Sequence, residues 1–184
     1  MTTHSGNMGV FYHGDDYISV SRRLAIDFID TFLTTVACGA CSLALMILWP
    51  HDASLGPIIL ALWVAVWFLY FVILKRSTFR TIGYKVFGAR VVNLQGQRPG
   101  ILSLLGRILF VVGGPANVLI DLLWIPSDPC RQAIRDKFAH TYVIRRDAQP
   151  IGVGRIVYRT YSMFGTTFLF QEVQSESPIT PSRP

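Results

Sequence analysis

Apolar residues in this chain come in three blocks rather than in scattered amphipathic stripes. The first, Arg22 to Trp49, is long enough to cross a bilayer as a helix, which takes about 20 residues. At about 100° per residue, Arg23, Asp27, Asp30, Thr34, Cys38 and Cys41 share one narrow face. The opposite face is Leu, Ile, Phe and Val. A charge in hydrocarbon costs at least about 2.5 kcal/mol. The polar stripe is therefore expected to face a protein interior or a watery cavity, with its charges paired. Trp49 and Pro50 suit a water boundary.

The second block, Ile58 to Leu74, follows a loop without Lys or Arg and runs into Lys75, Arg76 and Arg80. By the positive-inside rule the loop is external, and the N-terminus and everything just after Leu74 are cytoplasmic. The two blocks thus form a hairpin. Trp63, Trp67, Phe68, Tyr70 and Phe71 read as lipid or helix contacts rather than a ligand cage. Between Asp52 and Asp121 there is no carboxylate, while Lys75, Arg76, Arg80, Lys85, Arg90, Arg98 and Arg107 are all basic. Gly83 and Gly88 weaken any helix here. Arg90 to Leu94 predicts a short strand, and Gln95-Gly96 a turn.

The third block, Ile101 to Ile125, holds Arg107, the break Gly113-Gly114-Pro115, Asn117 and Asp121. A single crossing would place Arg131, Arg135, Lys137, Arg145 and Arg146 outside, against the positive-inside rule. Each half is short for a span and suits a re-entrant hairpin. That reading is favoured over a kinked span with a basic exterior tail. His140 to Ile144 predicts another short strand, able to pair with Arg90 to Leu94 if both lie on one side. Residues 151–171 read as a strand pair or an interfacial segment. The expected organisation is a mobile lead over 1–17, a membrane domain over 18–146, and an extension over 147–184 that is disordered at its end. The fold class is an all-α membrane protein. It comprises a two-span helical hairpin, a third Gly-Pro-interrupted segment and a small cytoplasmic β element.

Composition agrees. The chain is 51% hydrophobic and 15% charged, against about 25% charged in soluble domains. Its net charge of +6 lies beside apolar blocks. Anionic lipid headgroups at Lys75, Arg76, Arg80, Lys85 and Arg90 are the expected partners. Nucleic acid is not, since no recognition motif accompanies the basic run. Three cysteines, two of them in a span, make no disulfide framework. Cys38-Gly-Ala-Cys41 lacks the further ligands of a metal or redox motif and reads as small-residue helix packing. His4, His13, Asp15 and Asp16 match no metal-site spacing, so no metal or cofactor is expected. The N-terminus has no cleavable signal pattern, and the first block is expected to serve as its own insertion signal. There is no Walker loop, nucleophile elbow or HExxH, which leaves an enzyme little support.

Three stretches together resemble the RDD domain, a bacterial membrane domain named for an arginine and two aspartates. RRLAIDFID, with Arg23 and Asp30, resembles its opening. TIGYKVFGARVVNLQGQRP resembles its middle block, and RQAIRDKFAHTYVI its closing block, with the second aspartate at Asp136 and a trailing Thr141. Arg107 matches a basic position common in the family. Three positions depart from it. Tyr84 replaces a basic residue ahead of Lys85, Arg135 stands where histidine often precedes the aspartate, and Asp27 is an addition. The resemblance covers about residues 18–146. It implies a multi-pass protein of the bacterial cell membrane for which transport, including cation/proton exchange, has been proposed.

Two chemistries are open at Arg23, Asp27 and Asp30. Paired carboxylates beside a cation can hold a cation or trade a proton. Alternatively, Arg23 neutralises them and pins the helix to the basic segment, the weightier of the two readings. Asp136 is expected near Arg23 or the cations from Lys85 to Arg107. Asp121, with Asn117, is an intramembrane acid, hence either a functional group or a partner of Arg107 or of amides freed at the break. The first expectation for function is a small cation or proton transport protein or subunit, oligomeric because three blocks make a thin pathway. The alternative is a non-transporting membrane adaptor whose basic face and tail recruit lipid or a protein partner.

Overall fold

The computed structural model describes residues 8–50, 54–163 and 165–175. Helix α1 spans Val20–Leu48. Helix α2, Leu55–Phe68, continues into a π-helical stretch, Leu69–Leu74. Both runs are long and apolar enough to cross a membrane. Their packing inverts that of a water-soluble helix. The buried residues of α1 are Arg23, Ile26, Asp30, Thr34 and Cys38, while Phe28, Phe32, Val36, Leu43 and Ile47 are exposed. An apolar outer face of this extent exceeds what soluble monomers leave in water.

Strand β2 (Ala89–Asn93) pairs antiparallel with β3 (Thr141–Arg145), Arg90 opposite Ile144. Alternation gives this ladder two buried faces. Val92, Tyr142 and Ile144 pack on Tyr12, Tyr17 and Ile156. Ala89, Val91 and Val143 pack on Ile18, Ile26, Val72 and Leu104. Between β2 and β3 the chain makes α4 (Ile101–Val112) and α5 (Pro115–Trp124), bent by 114° at the break. Gly114 has φ +136°, a region that residues with a Cβ rarely enter. Asn117 Nδ2 donates to the Phe110 carbonyl at 2.7 Å, satisfying an acceptor left near the end of α4. Two short helices complete the domain, α3 (Ile82–Val86) and α6 (Ile134–Phe138).

A second sheet revises two expectations. Strands β1 (Met8–Phe11), β4 (Gly152–Met163) and β5 (Thr166–Ser175) form an antiparallel sheet in the order β1-β4-β5. "All-α" is therefore too narrow, since β-branched and aromatic residues hold β4 and β5 extended over 12 and 10 residues. Nor do residues 8–17 form a mobile lead. Met8–Phe11 pairs with Gly152–Arg155, and Tyr12 and Tyr17 are buried edge-to-face against Tyr142. These aromatics outweigh the polar residues between them. His13, Asp15 and Asp16 sit in a short, largely exposed turn; His4 and the last nine residues lie outside the described residues.

The β4–β5 hairpin is fastened to α6 by a buried cation. Lys137 Nζ lies 2.6 Å from Glu172 Oε1 and also meets Asp128, with the Tyr161 ring 5.0 Å away. Burial pushes the Glu172 carboxyl up, but its bonds with Lys137 and Tyr161 hold it below the usual glutamate range. A depressed folded-state value stabilises above the unfolded value and ceases to do so as pH falls through the folded one. The thermal midpoint of Glu172→Gln should therefore lie below wild type at neutral pH, and the gap should close below about pH 4. A gap independent of pH would contradict the ion pair.

Candidate functional site

Asp136 occupies the third position of α6, where its carboxylate turns back to accept from the Ala133 amide at 3.3 Å. Two guanidinium groups meet it there. Arg23 of α1 bonds Oδ2, and Arg107 Nη1 of α4 lies 2.6 Å from Oδ1. The second contact is ionic without the alignment of a hydrogen bond. Arg107 also donates to Thr141 Oγ1 at 2.8 Å. All three charged residues are almost fully buried. Burial alone would push Asp136 upward, but Arg107, Arg23 and Arg135 outweigh it and hold the carboxyl well below the usual aspartate range.

Next to it, Arg135 bridges two further carboxylates. It pairs with Asp27 of α1, its Nε lies 3.2 Å from Asp121 Oδ2, and its amide donates to Asp121 Oδ1 at 3.1 Å. Burial would pull the Arg135 guanidinium down, but Asp27, Asp136 and Asp121 more than offset this and push it up. Three arginines and three aspartates therefore close on one another, from α1, α4, α5 and α6. Such a network holds only while it is complete, because a stranded buried charge costs about 3–5 kcal/mol.

Asp30 is not part of it, contrary to the pairing expected with Arg23. It is fully buried and accepts from Thr81 Oγ1 at 2.6 Å, the Gly83 amide at 2.7 Å and the Tyr70 hydroxyl at 2.9 Å. The π-helical stretch carries Tyr70 to this point. Asp27 and Asp30, though three residues apart, thus serve different partners. Asn117 caps α4 rather than joining Asp121, and Asp121 takes Arg135 rather than Arg107. Lys85 is exposed and outside the seam. Of Cys38-Gly-Ala-Cys41 only Cys38 is buried, and Gly39 meets no other helix of this chain. Among the described residues no three His, Cys, Asp or Glu side chains converge as metal ligands.

Arg135 was legible only as a departure from the family pattern. It and the added Asp27 are departures of opposite sign, and they are partners. Tyr70, Thr81 and the Asp128–Lys137–Glu172 cluster carried no sequence signal, since their partners lie far apart along the chain.

Two cavities meet at this seam. One, of about 240 Å³, is walled by apolar side chains of α2, α4 and α5 and reaches Asp27, Arg107, Arg135 and Lys75. The other, of about 270 Å³, reaches Arg23, Asp27, Asp121 and Arg135. Asp27 and Arg135 border both.

Helices with a charged interior and an apolar exterior, joined to a polar base by buried ion pairs, fit a membrane protein. The profile of the RDD family matches residues 17–140, and the chain belongs to that family. No curated protein and no solved structure matches it.

Gly83 is the tightest point of the Asp30 cradle. A Cβ there would fall 2.7 Å from the Ile26 carbonyl and 2.9 Å from Asp30 Oδ1. Backbone cannot rotate away, so Gly83→Ala should cost about 1–3 kcal/mol. Asp30→Asn, which turns an NH2 toward donors, should cost a similar amount, about 1–3 kcal/mol. Thermal unfolding of purified protein should show both losses and none for exposed Lys85→Gln.

Proposed function

We propose that this chain is a multi-pass protein of the bacterial cell membrane that moves a proton, coupled to a small cation or another solute. The exchanging group is the Asp27–Arg135–Asp121 bridge. The observation that carries this reading is that Asp27 and Arg135 border two cavities at once. Protonating either carboxylate still leaves Arg135 the other as a partner, with the seam then one positive charge in excess. A proton suits the site better than a resident metal, because every seam carboxylate already faces a guanidinium. Asp136 and Asp30 are excluded from exchange, the first by two cations and the second by three donors.

The β2–β3 ladder supports a re-entrant third segment. Strands paired in one sheet lie on one side of a membrane, so α4 and α5 leave and return on that side. β1 joins the same base through β4, and Tyr17 pairs with Ile144. The base carries Arg80, Arg90, Arg98 and Arg146, a basic excess that supports a cytoplasmic side. The alternative is an adaptor without transport, favoured by the β4–β5 hairpin, which extends beyond the family match.

In proteoliposomes, Asp27→Asn and Asp121→Asn should each abolish pH-driven flux while Lys85→Gln retains it. Flux unchanged in both would remove the bridge from the mechanism. Absence of flux in wild type under every gradient would favour the adaptor. Its partner is then best sought with residues 176–184 deleted, since losing 147–184 would also strip β1 of its partner strand.

Topology has a separate check. Cys130 is half-buried and burial pushes its thiol up, so it labels poorly. Exposed Ser127→Cys and Gly56→Cys, with Cys41 and Cys130 replaced by Ala, are better reporters. An impermeant reagent should label Gly56→Cys in intact cells and Ser127→Cys only after permeabilisation. Outside labelling of Ser127→Cys would overturn the re-entrant segment.

A further inference from the structure

A basic cavity of about 370 Å³ lies where α2 gives way to the base. Its walls carry Lys75, Arg76, Arg80, Arg90, Arg98 and Arg146, and no carboxylate lines it. Among the described residues, none of the six reaches a carboxylate within ion-pair distance. They come from three separate stretches, brought together by the β2–β3 ladder and by the Arg146 amide donating to the Gly88 carbonyl at 2.6 Å.

The cavity is built, not a loose run of surface cations. Arg80 adopts φ +53°, rare for a residue with a Cβ, and donates to the Ala89 carbonyl at 3.1 Å. Arg90 Nη2 donates to the Ala148 carbonyl at 2.7 Å, while its Nε is buried without a partner. Burial, with Arg146 and Arg90 nearby, pushes the Arg80 guanidinium down. Like charges held this close repel, and a buried donor without an acceptor is costly. A polyvalent anion relieves the repulsion. One phosphate carries about −1.5 to −2, too little for the five arginines, Lys75 holding its ammonium 4.6 Å from the Tyr84 ring.

We propose that this cavity binds a ligand carrying at least two phosphate groups, presented either by an anionic phospholipid headgroup or by a soluble phosphate compound. The residues bonded to backbone carbonyls, Arg80 and Arg90, shape the floor. Exposed Arg98 and Arg146 form the rim. Lys75 directly follows the apolar run ending at Leu74, which puts the mouth at headgroup depth. Lys85, basic and nearby in sequence, does not line the cavity. The lipid source rests on the membrane reading above, whereas the soluble source does not.

The test uses the purified full-length chain at about 0.15 M salt, where diffuse surface charge is screened beyond about 8 Å. Inorganic pyrophosphate is titrated in neutral detergent. Cardiolipin is titrated in nanodiscs, against phosphatidylserine at equal charge. Saturable binding of at least one phosphate probe is expected, with affinity falling roughly tenfold for each of Arg98→Gln and Arg146→Gln. Lys85→Gln and Arg22→Gln, exposed elsewhere, should change nothing. Pyrophosphate binding identifies a soluble source; preference for cardiolipin without pyrophosphate binding identifies a lipid source. If neither probe saturates, if phosphatidylserine binds as well as cardiolipin without pyrophosphate binding, or if the rim variants weaken binding no more than Lys85→Gln, the proposal is overturned. Both rim residues are exposed, so their loss leaves the fold intact, and an unchanged thermal midpoint verifies this.

Discussion

A carboxylate removed from water must be met by cations or donors, and the arrangement of this chain follows from how Asp136 meets that demand. Its partners are Arg23, at the start of the first apolar helix, and Arg107, inside the third apolar block. The same residue caps the amide that opens α6. One side chain thus ties the helical hairpin, the broken segment and the closing helix at a single point. Desolvating these groups is expensive, and the network offsets that expense only when whole. It contributes more to one fixed arrangement than to raw stability.

The remaining polar groups of the apolar region divide between two tasks. Asp30, held by a threonine, a glycine amide and a tyrosine, fixes α3 and the end of the second helix against the first. Arg135, between Asp27 and Asp121, has a second carboxylate to turn to when one is neutralised. The first set holds the frame rigid, and the second is the bridge that borders both cavities. Below them the β2–β3 ladder closes the loop of chain that contains α4 and α5, and in doing so gathers cations from three stretches into one basin.

Much of this frame is legible in the sequence, because periodicity and charge act locally. The polar stripe of the first block, the strands at Arg90–Leu94 and His140–Ile144, and the break at Gly113-Gly114-Pro115 follow from spacing alone. The resemblance singles out Asp136, and its expected approach to Arg23 or the cations from Lys85 to Arg107 is met by Arg23 and Arg107 together. Partner choice inside the seam does not. Asp27 and Asp30 look equivalent on a helical wheel, and only the fold shows one facing Arg135 and the other a cluster of donors. The N-terminal strand was hidden for a related reason. Val10, Tyr12 and Tyr17 are too few to announce a strand, and what orders them is β4 for Val10 and β3 for the two tyrosines, both far along the chain. Long-range pairing of this kind leaves no local trace.

The central claim is that Arg23 and Asp136 stabilise the protein as a pair rather than separately. A double-mutant cycle on purified protein, comparing Arg23→Gln, Asp136→Asn and the combination by unfolding, measures it directly. The account predicts a coupling energy of about 1–3 kcal/mol, with the double variant losing less than the two single losses together. Losses that add within about 0.5 kcal/mol would contradict it.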